Sequence, residues 1–170
     1  MPVLRMIAVA LSGLLVLAAC GTATETNAGN GSGGVPPQLN FTATTLDGDE
    51  FSGETLAGEP AVLWFWTPWC AVCQHEAGFI ADMADKHGDT VTFVGVAAQD
   101  NVEAMRAFAN RFGIDSFTNL NDKDGSVWAA FEVPAQPAFA FISASGDVER
   151  VNGTVTEQEM ERWITTRAQA

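Results

Sequence analysis

The sequence predicts an α/β domain with a mixed β-sheet flanked by helices, and three observations support this fold class. Two apolar runs of strand length, residues 61–66 and 91–97, are continuous rather than alternating, which is typical of central strands covered on both faces. Each run precedes a segment with the residue spacing of an amphipathic helix. A hairpin pattern and a final helical pattern follow, so the alternating strands and helices end in an antiparallel unit.

The first predicted element is an N-terminal β-hairpin extension. Residues 41–45 alternate in polarity, Asp47-Gly48 is a strong turn signal, and residues 50–52 return as the partner strand. The first central strand, residues 61–66, comes next. A helix follows it and ends at residues 86–88, where a lysine and a histidine precede a glycine.

The remaining elements alternate in the same way. A helix over residues 102–112 carries apolar residues on one face and ends at Gly113. The elements after it are, in chain order, a short strand at residues 117–120, a helical turn at residues 126–131, a strand at residues 138–142, its hairpin partner at residues 148–151 and a terminal helix at residues 157–167. In the terminal helix, Met160, Trp163 and Ile164 are expected to face the core.

Length and composition limit the classes of protein to which the chain can belong. It has 170 residues, which suits one domain, and 47% of them are hydrophobic, which is enough for a packed core. Eight basic residues against 21 acidic ones give a net charge of −13, and this charge excludes nucleic acid as a partner because it repels phosphate backbones. It also opposes electrostatic docking on anionic lipid headgroups. Three cysteines are too few for a disulfide scaffold.

The N-terminus has the pattern of an export signal. Arg5 precedes an apolar run over residues 6–17, and two alanines then lead to Cys20. A basic start, a short apolar stretch and small residues at the cleavage point together predict such a signal. The run is too short for a stable membrane span, which needs about 20 apolar residues.

Residues 17–21, Leu-Ala-Ala-Cys-Gly, resemble the lipobox of bacterial lipoproteins. The resemblance implies a signal peptide at residues 1–19, a lipidated Cys20 as the mature N-terminus, and attachment to the outer face of the cytoplasmic membrane in the cell envelope. Residues 20–38 are rich in Gly, Thr and Asn and predict a flexible tether, which leaves residues 39–170 as the folded domain. An ordinary signal peptide followed by a chance cysteine is the alternative.

Cys70 and Cys73 form a Cys-x-x-Cys motif at the junction of the first central strand and its helix. Unpaired N–H groups and the partial positive charge at a helix N-terminus favour the thiolate of Cys70, and the thiolate is the nucleophile. The spacing brings Cys73 within one helical turn, where it can attack a mixed disulfide formed at Cys70. Cys70 is therefore predicted to be the attacking thiol, and Cys73 the shielded resolving thiol, of dithiol–disulfide exchange.

Three segments around and after this motif resemble one family. Residues 61–73 look like the active-site strand and helix start of the thioredoxin fold. Cys73-Gln-His-Glu76 is similar to the Cys-x-x-Glu continuation in the TlpA/DsbE branch of envelope thioredoxin-like proteins, and residues 131–142 resemble the cis-proline loop and its following strand. Together with the lipobox, these segments make the chain similar to the DsbE/DsbF-type lipoproteins of actinobacteria.

The resemblance implies a thioredoxin-like sandwich over nearly the whole mature domain. It also implies a thiol–disulfide oxidoreductase whose redox-active group is the Cys70–Cys73 disulfide and which uses no cofactor and no metal. It places a cis bond between Gln136 and Pro137 and makes these residues one wall of a substrate groove. Trp69 directly precedes the nucleophile and is expected to contact the substrate. The implied partners are exported proteins with free thiols or disulfides and an unidentified membrane redox partner.

Three positions depart from the pattern of the wider family. Val72 stands where many relatives have proline, Trp64 occupies the place of the buried acid of thioredoxins, and Ala77-Gly78 replace a helix-kinking proline. These changes leave the reaction type intact and its direction open. Export to an oxidising compartment favours the oxidation of client dithiols, and reduction of apocytochrome thiols is the alternative.

Other functions stay open for the same residues. A structural zinc site needs four ligands, and besides the two cysteines only His75, His87 and acidic residues are available. A purely structural disulfide and a binding module with incidental cysteines are further alternatives. Thr67 and Cys70 have the Thr-x-x-Cys spacing of peroxiredoxins, but Leu63 replaces the proline of that motif, which disfavours a peroxidase.

The side chains next to the motif have alternative interpretations. Trp64 and Trp66 are predicted to be core residues rather than substrate contacts. His75 is either a solvated helix residue or a partial positive charge that tunes the thiols. Glu76 is either an ordinary exposed helix acid or a polar residue that acts near the motif.

Overall fold

A computed structural model describes residues 34–168 and 170 of the chain. Within these residues, seven strands form one mixed sheet in the order β2-β1-β5-β4-β3-β6-β7. The strands are β1 Thr42–Thr45, β2 Glu50–Ser52, β3 Ala61–Trp66, β4 Thr92–Ala97, β5 Thr118–Asn121, β6 Ala138–Ile142 and β7 Val148–Asn152. The predicted signal peptide, Cys20 and most of the predicted tether lie outside the described residues.

Four α-helices cover the two faces of the sheet in the part of the chain that the structure describes. They are α1 Ala71–His87, α2 Val102–Phe112, α3 Ser126–Ala130 and α4 Glu157–Thr166. Short 3-10 helices occupy Pro37–Leu39, Gly53–Leu56 and Ile114–Ser116. The predicted elements are confirmed, with ends that differ by about two residues at most.

The N-terminal β-hairpin extension is also confirmed. β1 and β2 pair antiparallel, and β1 pairs in turn with β5, so the hairpin extends one edge of the sheet. The folded part begins slightly before the predicted boundary at residue 39: Pro36 is buried, and Leu39 is fully buried at the end of the first 3-10 helix. Pro36 belongs to the predicted tether by composition, but its ring packs on the domain, whereas Pro37 is exposed.

The central strand β3 leads directly into the turn that carries the cysteines. It pairs parallel with β4 and antiparallel with β6, and all six of its residues are buried. Val62, Trp64 and Trp66 face one core layer with α1, while Leu63 and Phe65 face the other. Both layers are apolar, which explains why this strand reads as a continuous apolar run. The predictions that Trp64 and Trp66 belong to the core are confirmed.

A polar contact between neighbouring strands holds the carboxyl end of β3. The Trp66 indole N–H donates to Asn119 Oδ1 at 3.2 Å, and the Asn119 amide donates to the carbonyls of Ile114 and Phe117. Gly95 of β4 leaves room for this contact, since a Cβ there would lie 1.9 Å from Asn119 Oδ1. Trp66 is thereby fixed directly before the turn that leads to the cysteines.

The described chain starts at the end of the sheet opposite the carboxyl ends of the parallel strands. Pro36 packs against Gly146 in the turn between β6 and β7. This turn lies at the amino end of β3, because Ala61 pairs with Ile142. No helix in residues 34–168 is long and apolar enough to cross a membrane.

Candidate active site

A tight turn joins β3 to α1 and places Cys70 at the helix N-terminus. Thr67 and Pro68 end the strand, and the Cys70 N–H donates to the Thr67 carbonyl at 3.2 Å. Cys70 is the N-cap of α1, with an extended backbone, and its Sγ accepts the Cys73 N–H at 3.1 Å. The first turn of the helix thus points a donor at this sulfur, as expected for a helix N-terminus.

Cys70 and Cys73 are joined by a disulfide, with their Cα atoms 5.2 Å apart. Cys70 retains 7% of its surface exposed and Cys73 retains none. A thiolate from outside can therefore approach Cys70 but not Cys73. This difference in exposure agrees with the predicted roles of the two cysteines, which stay predictions.

Two exposed apolar side chains border the disulfide. Trp69 is 55% exposed and Val72 is 45% exposed. Exposed large apolar side chains beside a reactive group are typical of a binding surface. The Trp69 indole N–H donates to the main-chain carbonyl of Gln99 at 3.3 Å, so the ring contacts the loop after β4.

The loop before β6 lies beside the carboxyl end of β3. Ala138 pairs with Phe65, which brings the preceding residues level with the turn that carries the cysteines. The Gln136–Pro137 bond is cis, as predicted. Pro137 is buried and Gln136 is half-buried. The structure thus places both residues near the carboxyl end of β3, and their role as a wall of a substrate groove stays a prediction.

Glu76 is a buried acid on α1, so its interpretation as an ordinary exposed acid is wrong. It is 5% exposed and lies one turn after Cys73 on the same face of the helix. Among the described residues, neither of its carboxylate oxygens has a hydrogen-bond partner. Burial raises the pKa of Glu76 to about 7, and the nearby Trp64 indole lowers it only in part.

The buried Glu76 lies next to Trp64 of β3. Thioredoxins resemble this chain but carry their buried acid on the strand, where Trp64 stands here. In this protein the buried carboxyl comes from α1 instead, next to the same tryptophan. His75, the neighbour of Glu76, points away from the core and is exposed. Its predicted tuning role stays a prediction.

Sequence reasoning named Glu76 but left its burial open, and it missed Gln99. Glu76 belongs to the buried stripe of α1 together with Cys73, Ile80 and Met83, at helical spacing. That helical spacing alone indicates that Glu76 lies on the buried face of α1, although its residue type favours exposure. Gln99 carries no such signal, because neither its residue type nor its neighbours indicate that its carbonyl reaches Trp69. In residues 34–168 and 170, no three His, Cys, Asp or Glu side chains form a group that could hold a metal ion.

The chain matches the AhpC/TSA family over residues 37–151. It is 50% identical over 115 residues to the soluble secreted antigen MPT53 of Mycobacterium tuberculosis, a match that covers 68% of this chain. The match spans 65% of the length of MPT53.

Two solved structures share both fold and sequence with this chain. DsbF of MTB superposes with a TM-score of 0.76 at 52% identity, covering 78% of this chain and 98% of that protein. A secreted disulfide oxidoreductase of Mycobacterium tuberculosis, described as homologous to E. coli DsbE, superposes with a TM-score of 0.71 at 45% identity, covering 75% and 96%. The chain belongs to the AhpC/TSA family and has the thioredoxin fold of the DsbE/DsbF-type proteins that it resembles.

Proposed function

We propose that this protein is an extracytoplasmic thiol:disulfide interchange enzyme that oxidises dithiols in exported proteins. One observation carries the proposal: Cys70 is both the reachable sulfur and the N-cap of α1, and its Sγ accepts the Cys73 N–H at 3.1 Å. A donor at this atom stabilises the Cys70 thiolate that forms on reduction. A stabilised reduced form makes a disulfide a stronger oxidant.

The reaction takes place in two exchange steps. A client thiolate attacks Cys70 Sγ, the Cys70–Cys73 bond breaks, and Cys73 leaves as a thiolate. A second client thiolate then attacks the client sulfur of the mixed disulfide and releases Cys70 as a thiolate. Two electrons pass from the client to the enzyme, and the client gains a disulfide. The cycle uses no cofactor or metal besides the cysteine pair, and a membrane redox partner restores the enzyme disulfide.

The client chain binds across the surface that surrounds Cys70. Trp69 offers an exposed ring on one side of the sulfur, and Gln136 and Pro137 form the wall on the other side, as in the family that the chain resembles. Cys73 stays covered during both steps because it has no exposed surface. The partners are therefore exported proteins whose cysteines lie in accessible, unfolded segments.

Glu76 and His75 tune this chemistry from opposite sides of α1. When ionised, Glu76 places a negative charge in the apolar core near Cys73 and opposes thiolate formation there. His75 is exposed near the same end of the helix and can add a partial positive charge. The two effects act in opposite directions on the reduction potential.

Glu76 favours a second candidate function, an envelope thiol reductase such as one for cytochrome c maturation. A buried acid that destabilises the thiolates would make the disulfide harder to reduce and the dithiol a better reductant. The two functions differ in one measurable quantity, the reduction potential of the Cys70–Cys73 pair.

A redox titration against glutathione tests the proposal. For an oxidase we expect a potential less negative than about −200 mV, on the side of DsbA (about −120 mV) rather than thioredoxin (about −270 mV). The oxidised protein should then form disulfides in a reduced, unfolded client at a rate that the Cys70→Ser/Cys73→Ser double variant lacks. A potential near that of thioredoxin, with efficient insulin reduction, would support the reductase instead. Equal rates for the protein and the double variant would indicate a binding module, and hydrogen peroxide consumption would indicate a peroxidase.

We further propose that Cys20 is lipidated and anchors the protein in the cell envelope. The MPT53 relative is described as secreted, which agrees with export but not with a lipid. The support for an anchor is the lipobox-like order of residues 17–21 and the polar segment after it. Two acyl chains on one residue give durable membrane attachment.

The Cys20→Ala variant is expected to leave the membrane fraction. A wild-type protein carrying the diacyl anchor should sediment with membranes, whereas the variant without a lipid acceptor should appear in the soluble extracytoplasmic fraction. Fractionation with immunoblotting measures this, and Thr22→Ala, two residues away in the same segment, serves as the control. Membrane association that is equal in Cys20→Ala and wild type would exclude the lipid anchor.

A further inference from the structure

The loop after β4 contains a residue with an unusual backbone. Gln99 has a φ of 61°, in the left-handed region that a residue other than glycine enters only at a cost. The Gln99 side chain is exposed, so core packing does not explain this conformation. Backbone strain of this kind concentrates at sites that bind or react.

Fixed contacts on both sides hold Gln99 in place. Before it, the Ala98 N–H donates to the Trp66 carbonyl at 3.2 Å and extends the pairing of β4 with β3. After it, Asn101 is the N-cap of α2 and accepts the Ala104 N–H at 2.9 Å. The chain must therefore turn between two anchored residues, and the left-handed conformation makes this turn.

The turn directs the Gln99 carbonyl to Trp69. That carbonyl accepts the Trp69 indole N–H at 3.3 Å, across 30 residues of sequence. The Trp69 ring is otherwise 55% exposed, and it directly precedes Cys70. An exposed hydrogen bond contributes little to folding, but it restricts the rotation of the ring beside the reacting sulfur.

We propose that Gln99 is a positioning residue for the client site, whose left-handed main chain holds the Trp69 ring in place as a preformed wall beside Cys70. This inference rests on the proposed exchange function. A ring that is already ordered loses less conformational freedom when the client chain packs on it, so the client is captured faster. Gln99 acts through Trp69 and not on the sulfurs. The reaction rate of a small thiol, which has no chain to pack on Trp69, should therefore not depend on Gln99.

Two substitutions at Gln99 separate its backbone from its side chain. Gln99→Val disfavours the left-handed region because valine is β-branched, and it should break the contact with Trp69. Gln99→Asn is the matched control, since asparagine tolerates that region and so leaves the main-chain carbonyl directed at Trp69. The Trp69 indole N–H resonance in a proton–nitrogen NMR spectrum, assigned with Trp69→Phe, reports whether the hydrogen bond remains.

The rates to compare are those of the oxidised protein with reduced, unfolded ribonuclease A and with reduced glutathione. For Gln99→Val we expect the ribonuclease rate to fall about three- to tenfold, as for the loss of one hydrogen bond, and the glutathione rate to stay unchanged. Gln99→Asn should match wild type in both. The proposal is wrong if Gln99→Val loses the indole contact but keeps the ribonuclease rate, or if both rates fall together.

Trp69→Phe provides a test that does not depend on the folding of the valine variant. It keeps an aromatic ring at an exposed site and removes the N–H donor. The ribonuclease rate should fall, and Gln99→Val added to Trp69→Phe should lower it no further, since both changes remove the same contact. A wild-type ribonuclease rate in Trp69→Phe, or independent effects of the two changes, would overturn the positioning role. A wild-type protein that reacts with neither thiol would instead refute the exchange function itself.

Discussion

The Cys73→Ser variant should accumulate mixed disulfides between Cys70 and client proteins. With Cys73 removed, the Cys70 thiol remains at the helix N-terminus, where the backbone donor that reaches its Sγ favours the thiolate. This thiolate attacks a disulfide in a client, one client sulfur leaves as a thiolate, and the other stays bonded to Cys70 because no resolving thiol lies one turn away. Catalysed disulfide formation should fall by at least about two orders of magnitude, because the pair can no longer pass two electrons.

The trapping experiment compares single variants in a Cys20→Ala background, so that only the two active-site cysteines differ. Non-reducing gels with mass spectrometry identify the adducts, and dithiothreitol should release them. Cys70→Ser should trap almost nothing, because Cys73 has no exposed surface. The double variant controls for adducts formed without either cysteine. If Cys70→Ser traps clients and Cys73→Ser does not, the two roles are reversed.

The free energy of unfolding of the wild-type protein should fall between acid and neutral pH. The Glu76→Gln variant should not show this fall. Burial raises the pKa of Glu76 to about 7 in the folded state, against 4.5 for an ordinary glutamate. Between these values the folded state holds a proton that the unfolded state has lost, so the free energy of unfolding falls as pH rises. This decrease in the free energy of unfolding is absent below about pH 4.5 and complete above about pH 7. This lost free energy of unfolding amounts to about 3 kcal/mol in full.

Urea unfolding of the oxidised protein at pH 5 and pH 8 measures this difference. Wild type should lose about 2–3 kcal/mol more than Glu76→Gln between the two pH values, since glutamine has no proton to release. Asp82→Asn, on the exposed side of the same helix, is the matched control and should follow wild type. An equal pH dependence in wild type and Glu76→Gln would mean that the buried carboxyl titrates near its ordinary pKa.

The same variant should change the reactivity of the thiols. Above pH 7 the ionised Glu76 opposes thiolate formation near Cys73, and glutamine removes that charge. The alkylation rate of the reduced protein should therefore lose an inflection near pH 7 in Glu76→Gln. Asp82→Asn again serves as the control, because Asp82 faces solvent on the far side of the helix.

Most of the fold was predictable from local patterns. The predicted bounds of β3, residues 61–66, agree with the structure, because a strand covered on both faces shows as an uninterrupted apolar run. α2 also agrees, since its amphipathic spacing ends at Gly113, which adopts the left-handed cap. The cysteine pair was identifiable because its chemistry depends on a short spacing at a strand–helix junction.

The side-chain environment of the site was predictable only in part. Glu76 is acidic, and residue type alone favours solvent exposure, yet the helical stripe and the packing of Trp64 bury it. The contact between Trp66 and Asn119 joins residues 53 positions apart, and it depends on the missing side chain of Gly95. Neither arrangement follows from local sequence.

The sequence by itself determined the order of elements and the reactive cysteine pair, because each depends on periodicity or spacing within a few residues, and the family resemblance of residues 131–142 supplied the proline loop. Only the tertiary structure decided that Glu76 is buried, with a raised pKa, and that the Gln99 carbonyl holds Trp69. The physical reason is that desolvation and hydrogen-bond geometry depend on atoms contributed by distant segments, here β3, α1 and the loop after β4.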